Sequence, residues 1–318
     1  MKDTNGVQHE GSNTYETDTS IYRDNLTALV SAFARAYHYK NNHRHISADP
    51  LADKMLTDEE YTAISQNMSQ GISYFAPDFR GTQEEALRFI VDHQLAPSVL
   101  ARSAFCERAI SNAVMLGYRQ IIIFACGYDT FSLRTKENNL QVFELDRPEM
   151  IADRQRRIRK SGLEPVCRQI GIGCDLALTG WKDDLVNAGF HAEKQFFGSL
   201  LGISYYLSKD DFRKLLKEIS SISCAGSTIC FDYPQSSDGT ESKRNRELAA
   251  AAGEQMKAQY SYDELEELLS EAGFLVYEHL DAEEATNAFF QDYNNSNREH
   301  SMTAPAGFGY CLAVKQAE

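Results

Sequence analysis

The apolar positions of this chain follow two different rhythms, and the change falls near residue 98. Before it the spacing is helical. Leu26, Leu29, Val30, Phe33 and Tyr37 recur as they would on one face of a helix. A break at Asp49-Pro50 follows, and the pattern predicts another helix from Leu51. No β-rich run occurs in this portion. Beyond it, a predicted helix over Val99–Leu116 leads into Ile121-Ile-Ile-Phe-Ala-Cys126. That run is short, continuously apolar, rich in β-branched residues and followed by Gly127, as in a strand buried on both faces of a parallel sheet.

The alternation then repeats. Leu140–Asp146 reads as a second strand and Glu149–Lys160 as a basic helix. Pro165–Ile170, Phe196–Leu201, Ser227–Asp232, Phe274–Leu280 and Phe308–Val314 supply five more strands. Ser208 can cap a helix striped with Phe212, Leu215, Leu216 and Ile219. Ser261 and Glu264 have capping-box spacing ahead of Leu265, Leu268 and Leu269. Strands alternating with helices predict an α/β fold around an open, mostly parallel seven-stranded sheet. The stretch between the last two strands shows no clear helical periodicity, which permits an antiparallel final strand. Three parts follow: a polar tail over 1–20 with the composition of a disordered segment, a helical segment over 21–97, and the α/β domain over 98–318. Ligands of such sheets bind beyond the carboxyl ends of the strands. The residues after the first four strands are therefore the first candidates.

Composition removes several alternatives. Lys plus Arg is 32 and Asp plus Glu is 46, a formal charge of −14, which argues against a general nucleic-acid binder. None of the 7 cysteines forms a C-x-x-C pair, so no zinc motif is present. Scattered thiols and a polar amino terminus without an apolar signal core suit a reducing cytoplasm. No stretch approaches the ~20 apolar residues of a membrane span.

The first strand ends in Ala125-Cys126-Gly127, a turn of small residues that lets backbone approach a ligand. Asp146 ends the next strand about twenty residues on, where an acid can accept hydrogen bonds from both hydroxyls of a ribose. The plain structural reading of Glu144 and Asp146 is a solvated strand end. The Gly-rich pyrophosphate fingerprint is absent, which favours S-adenosyl-L-methionine (SAM) over a dinucleotide. SAM carries no phosphate. It needs a cation for its carboxylate, which Arg102 can supply, and a polar and apolar pair for adenine, which Asp175-Leu176 can supply.

At this point the segments "ARSAFCERAI", "IIIFACGYDTFSLR", "QVFELDRPEM", "CDL" and "FFGSLLGISYYL" can be taken together. In that order and spacing they resemble the leucine carboxyl methyltransferase family, SAM-dependent O-methyltransferases that include bacterial polyketide carboxyl methyltransferases. "SADPLADKML", with Asp49 and Pro50, is similar to the family's Asp-Pro segment. The likeness runs over roughly residues 25–315. It implies a class I SAM-methyltransferase Rossmann-like fold with an added helical lid, SAM as cofactor and S-adenosyl-L-homocysteine (SAH) as product. It implies that Arg102 meets the cofactor carboxylate, that Ala125, Cys126 and Gly127 pass beside the methionine portion, that Asp146 holds the ribose, and that Asp175 and Leu176 meet adenine. A second cation assists the carboxylate in the family. Arg35 is the candidate, with His38 and Lys40 as competitors. Two positions depart from the pattern: Ala125 stands where the family usually has Gly, and Leu201 where it usually has Glu.

Methyl transfer from a sulfonium needs alignment and exclusion of water more than activation of a leaving group. A carboxylate acceptor needs no general base, whereas a phenol or alcohol does. No unmistakable base is present. His38, His43 and His45 read as an exposed polar helix end. Tyr205 and Tyr206, after the fourth strand, are the candidates for orienting an acceptor, with helix-to-sheet packing as the structural alternative. The run Arg154, Arg156, Arg157, Arg159 and Lys160 reads as a solvated helix face. The 21–97 segment and a polar insertion over Gln235–Glu247 are the expected lid. Three readings stay open: a methyltransferase acting on a carboxylate or other oxygen of a small acceptor in specialised metabolism, a protein C-terminal carboxyl methyltransferase, and a non-catalytic SAM-binding or interaction protein. Nothing in the sequence fixes an oligomeric state.

Overall fold

The computed structural model of the chain describes residues 25–178, 180–236 and 257–317. The 1–20 tail and most of the Gln235–Glu247 insertion lie outside them. Seven strands form one sheet: β1 (Gln120–Phe124), β2 (Gln141–Asp146), β3 (Arg168–Gly173), β4 (Phe196–Leu200), β5 (Thr228–Pro234), β6 (Phe274–Leu280) and β7 (Phe308–Lys315). Their order is β3-β2-β1-β4-β5-β7-β6. The pairs β1–β2, β2–β3, β1–β4 and β4–β5 are parallel. The last strand, β7, is antiparallel and enters between β5 and β6.

The helices that position the cavity are α1 (Leu26–Asn41), α2 (Asp58–Gln70), α3 (Gln83–Ile90), α4 (Ala96–Met115), α5 (Pro148–Ser161), α6 (Trp181–Asn187), α7 (Lys209–Ser221), α8 (Tyr262–Glu271) and α9 (Ala282–Phe289). Both faces of the sheet are covered, which explains the continuous apolar runs. Ile121, Ile123, Phe197 and Cys230 pack with α1, α4 and α5 on one face. Ile122, Phe124, Phe196, Leu200 and Phe231 pack with α6, α7 and α8 on the other. Successive strand residues point to opposite sides, so a strand between two helical layers must be apolar at every position.

Four expectations are corrected here. First, β3 starts and ends three residues later than the Pro165–Ile170 run. Its bounds follow its pairing with β2, from Gln141 opposite Arg168 to Asp146 opposite Gly173. Gly171 and Gly173 weaken the strand signal, but α5 requires them. A Cβ at 171 would meet Ile151 at 3.0 Å, and one at 173 the Cα of Pro148 at 2.9 Å. Second, the β6–β7 connection contains α9, whose capping box is Asp281 with Glu284. Periodicity missed it because the helix buries one residue, Ala285. Third, Leu51 opens a single turn, Ala52–Met55, because Thr57 and Glu60 start a new capping box for α2 at once.

Fourth, the basic run of α5 is not simply a solvated face, and Glu144 is not a solvated strand end. Arg154 and Glu144 are both buried and joined by two hydrogen bonds, Nε to Oε2 at 2.8 Å and Nη2 to Oε1 at 2.5 Å. Arg157 is clamped by Asp153 at 2.6 Å and by both carboxylate oxygens of Glu60 on α2. These ion pairs lock α5 against β2 and against the amino-terminal helices. The sequence shows five cations but not their partners.

Candidate active site

A cavity of about 440 Å³ opens at the carboxyl ends of β1–β4, under α1 and beside α7. This is within the ~300–1,000 Å³ range of small-molecule sites. Its floor is the turn after β1. Ala125 has φ +50° and Gly127 φ +47°. Two left-handed residues so close together turn the chain sharply and expose its backbone. The turn is also closely packed under α1: a Cβ at Gly127 would sit 3.3 Å from that of Ala28, tighter than ordinary contact. Cys126 between them is buried, its N–H donating to Leu145 O at 3.0 Å. Burial raises its thiol pKa well above the usual range, so it is an inert part of the floor.

Asp146 ends β2 beside this turn. Its Oδ2 accepts the Gly127 N–H and its Oδ1 accepts the Arg147 N–H, each at 2.8 Å. Burial pushes its pKa up, while these backbone hydrogen bonds oppose the shift. The carboxylate is therefore fixed in direction, and each oxygen keeps a further lone pair for a ligand. After β3, Asp175 and Leu176 also line the cavity. Asp175 is exposed and its Oδ1 holds the Ala177 N–H at 2.9 Å, which fixes the loop. Leu176 is half-buried.

On the other side of β1, Arg102 projects from α4 into the cavity wall. Its Nη2 donates to Ser31 Oγ on α1 at 3.1 Å, and its Nη1 lies 3.7 Å from Asp232 Oδ2. Burial opposes its charge, but Asp232 and neighbouring tyrosine oxygens outweigh it and raise its pKa. Of Arg35, His38 and Lys40, Arg35 alone lines the cavity. Its guanidinium is largely committed: Nε donates to Asp49 at 2.9 Å, Nη1 to Ser31 O at 3.2 Å and Nη2 to Tyr128 O at 2.7 Å. Lys40 pairs with Asp53 at 3.1 Å. His38 is buried, not part of an exposed helix end. Its Nε2 accepts the Ile46 N–H at 3.0 Å, and burial lowers its pKa to about 3.

The two candidate tyrosines separate. Tyr206 lines the cavity. Tyr205 is buried behind it, and its hydroxyl donates to Asp232. Asp232 escaped notice in the sequence, although it ends a predicted strand just as Asp146 does. Ser31 and Ala28 were also missed, because a serine or alanine on a helix face carries no signal until the helix has been placed. Among the described residues no three His, Cys, Asp or Glu are grouped to hold a metal ion. No described helix is long and apolar enough to cross a membrane.

A mixed sheet with this strand order and an antiparallel β7, a tight turn after β1 and an acid at the tip of β2 define the Rossmann-like methyltransferase class. The chain belongs to the leucine carboxyl methyltransferase family, whose model matches residues 28–220. It is 36% identical over 303 residues to the Bacillus subtilis (strain 168) protein named "Putative S-adenosyl-L-methionine-dependent methyltransferase YktD", covering 92% of this chain and 98% of that one. It is 28% identical over 240 residues to a similarly named Mycobacterium marinum protein, with 73% of this chain and 74% of that one covered. In fold it is similar to a DUF574-family protein of Streptomyces avermitilis, with a TM-score of 0.57, 14% identity, and 90% and 97% of the two chains covered. A "putative methyltransferase" of Thermobifida fusca gives 0.53 and 13%, with 80% and 95% covered. The protein is thus a SAM-dependent methyltransferase, an enzyme with SAM as its cofactor.

Proposed function

We propose that this enzyme methylates an oxygen, specifically a carboxylate, of a small acidic acceptor, and that the cavity beyond β1–β4 is where the cofactor sits. The donor set fits SAM group by group. Arg102 would meet the carboxylate and the Ala125–Gly127 backbone the methionine chain. Asp146 would accept the ribose hydroxyls, and Asp175 with Leu176 would border adenine. Arg35 would hold α1 over the β1 turn through Asp49 and Tyr128 O more than it would serve as a free cation. SAM itself supplies an electrophilic methyl on an excellent leaving group. The chain's own part is to orient the acceptor and to exclude water. The α1 residues Ala28, Ser31 and Arg35 close the cavity from above, which supports a lid role for the 21–97 segment. Tyr206 borders the same space and is the candidate for orienting the acceptor.

One observation carries the carboxylate reading: among the described residues that line the cavity there is no histidine, the side chain that most often removes a proton at neutral pH, and His38, on α1 beside it, is buried with its pKa lowered to about 3. An ionised carboxylate attacks without a base, whereas a phenol or alcohol requires a group matched to remove its proton. The test is methyl transfer from labelled SAM to a panel of small carboxylic acids, phenols and carboxyl-terminal peptides. Radioactivity released as methanol by mild alkali from a small-acid product supports the reading. An alkali-stable product, or methylation of the peptides alone, overturns it.

A further inference from the structure

Asp232 is an acid at the active site to which the reading above gives no task. It does not line the cavity and is 1% exposed. It sits behind Gly202, at the tip of β5, and its carboxylate is fixed from two sides. Oδ1 accepts the Gly202 N–H at 2.7 Å, and Oδ2 accepts the Tyr205 hydroxyl. Its main-chain oxygen accepts the Ser204 hydroxyl at 2.7 Å. The β4–β5 side of the cavity is therefore built around this one carboxylate.

Its relation to Arg102 is unusual. At 3.7 Å the contact is a charge pair and not a hydrogen bond. Among the described residues the Arg102 guanidinium hydrogen-bonds Ser31 Oγ at 3.1 Å, and its other N–H groups remain for a ligand. Gly202 permits the closeness. It has φ +72°, and a Cβ there would lie 3.2 Å from Arg102 Nη1. The acids that line the cavity sit after β1, β2 and β3 or on α7, whereas Leu201, next to Arg102's neighbour Gly202, is apolar. A lone guanidinium would welcome any carboxylate. A guanidinium with a rigid, buried acid behind it makes a dipole whose field is little screened. That dipole matches a carboxylate with a cationic neighbour.

We propose that Asp232 is a positioning residue that makes the Arg102 end of the cavity selective for a zwitterionic amino-acid group. It acts through Arg102 and the Gly202 N–H, and favours the α-ammonium beside the carboxylate that Arg102 receives. The inference rests on the reading of this cavity as the cofactor site.

The experiment is calorimetric titration of the full chain and of Asp232→Asn with two ligands. One is SAH, and the other is its analogue with the α-amino group replaced by hydrogen. The wild type is expected to prefer SAH by at least about tenfold, the scale of one charge-assisted interaction. In Asp232→Asn the preference is expected to fall to within about twofold, and in Asp232→Glu to persist. Equal affinity of the wild type for both ligands overturns the proposal without any variant. Retention of the preference in Asp232→Asn also overturns it, as does an equal loss for both ligands, which would mark Asp232 as a fold residue only. If the wild type binds no SAH at all, the cofactor assignment fails, and the inference falls with it.

Discussion

Asp146→Asn removes one negative charge and keeps the side chain's shape. In the native protein both carboxylate oxygens hold backbone N–H groups at 2.8 Å, from Gly127 and Arg147. The substitution turns one oxygen into a donor that faces a donor, and it leaves the ribose diol with a weaker acceptor. Losing a hydrogen bond to a charged group costs about 1.5–3 kcal/mol, or roughly 10- to 150-fold in affinity. Titration with SAH at neutral pH should read that loss. The same pair of proteins should differ far less toward the 2′,3′-dideoxy analogue, which has no diol to lose. Burial raises the pKa of Asp146, so protonation reaches it sooner than an ordinary aspartate as pH falls. The wild type should then lose SAH affinity on acidification through that raised pKa, and Asp146→Asn should lack this limb. Unchanged SAH binding by the folded variant, or equal losses toward SAH and the dideoxy analogue, would refute the ribose assignment.

Three other outcomes follow from the same geometry. Arg154→Ala leaves Glu144 buried without its cation, which should cost about 3–5 kcal/mol, and urea unfolding showing less than ~1 kcal/mol would contradict a structural ion pair. His38 has a folded pKa of about 3 against an unfolded value near 6.5. Its contribution is therefore present above pH ~6.5 and is lost as pH falls toward the folded value, by about 1.4 kcal/mol per unit; His38→Gln should show a shallower acid-side decline in urea midpoint, and parallel curves would sink this account. Ala125→Gly relieves a left-handed alanine worth about 1–2 kcal/mol but adds about 0.5–1 kcal/mol of unfolded-chain freedom. The Tm should stay level or rise slightly, and a fall of several degrees would count against strain at this turn.

What could be read from the chain was whatever repeats locally. Strands β1, β4 and β5 announced themselves because both of their faces are covered, so each carries a run of consecutive apolar residues. Asp146 was visible because it closes such a strand. The capping boxes at Ser261 and Thr57 each span four consecutive residues, and the first is legible directly. Strand β3 was misplaced for the opposite reason: its glycines answer to helix α5, which lies over them, and that close approach is a matter of packing rather than of pattern within the strand. The motif likeness was expected over about 25–315. The family model matches 28–220, and the YktD alignment extends nearly the whole length.

The sequence by itself determined the seven-stranded alternation, the edge of the sheet at which the cavity opens and the kind of residue at each strand tip, because hydrophobic period and strand ends are properties of neighbouring residues. The tertiary structure alone decided which charges have partners. Arg154 finds Glu144, Arg35 is drawn to Asp49, Tyr205 turns to Asp232, and Arg102 keeps donors for a ligand. A charge's role depends on burial and on what lies within a few ångströms. Those distances join residues 10 to 71 positions apart, and no local pattern records them.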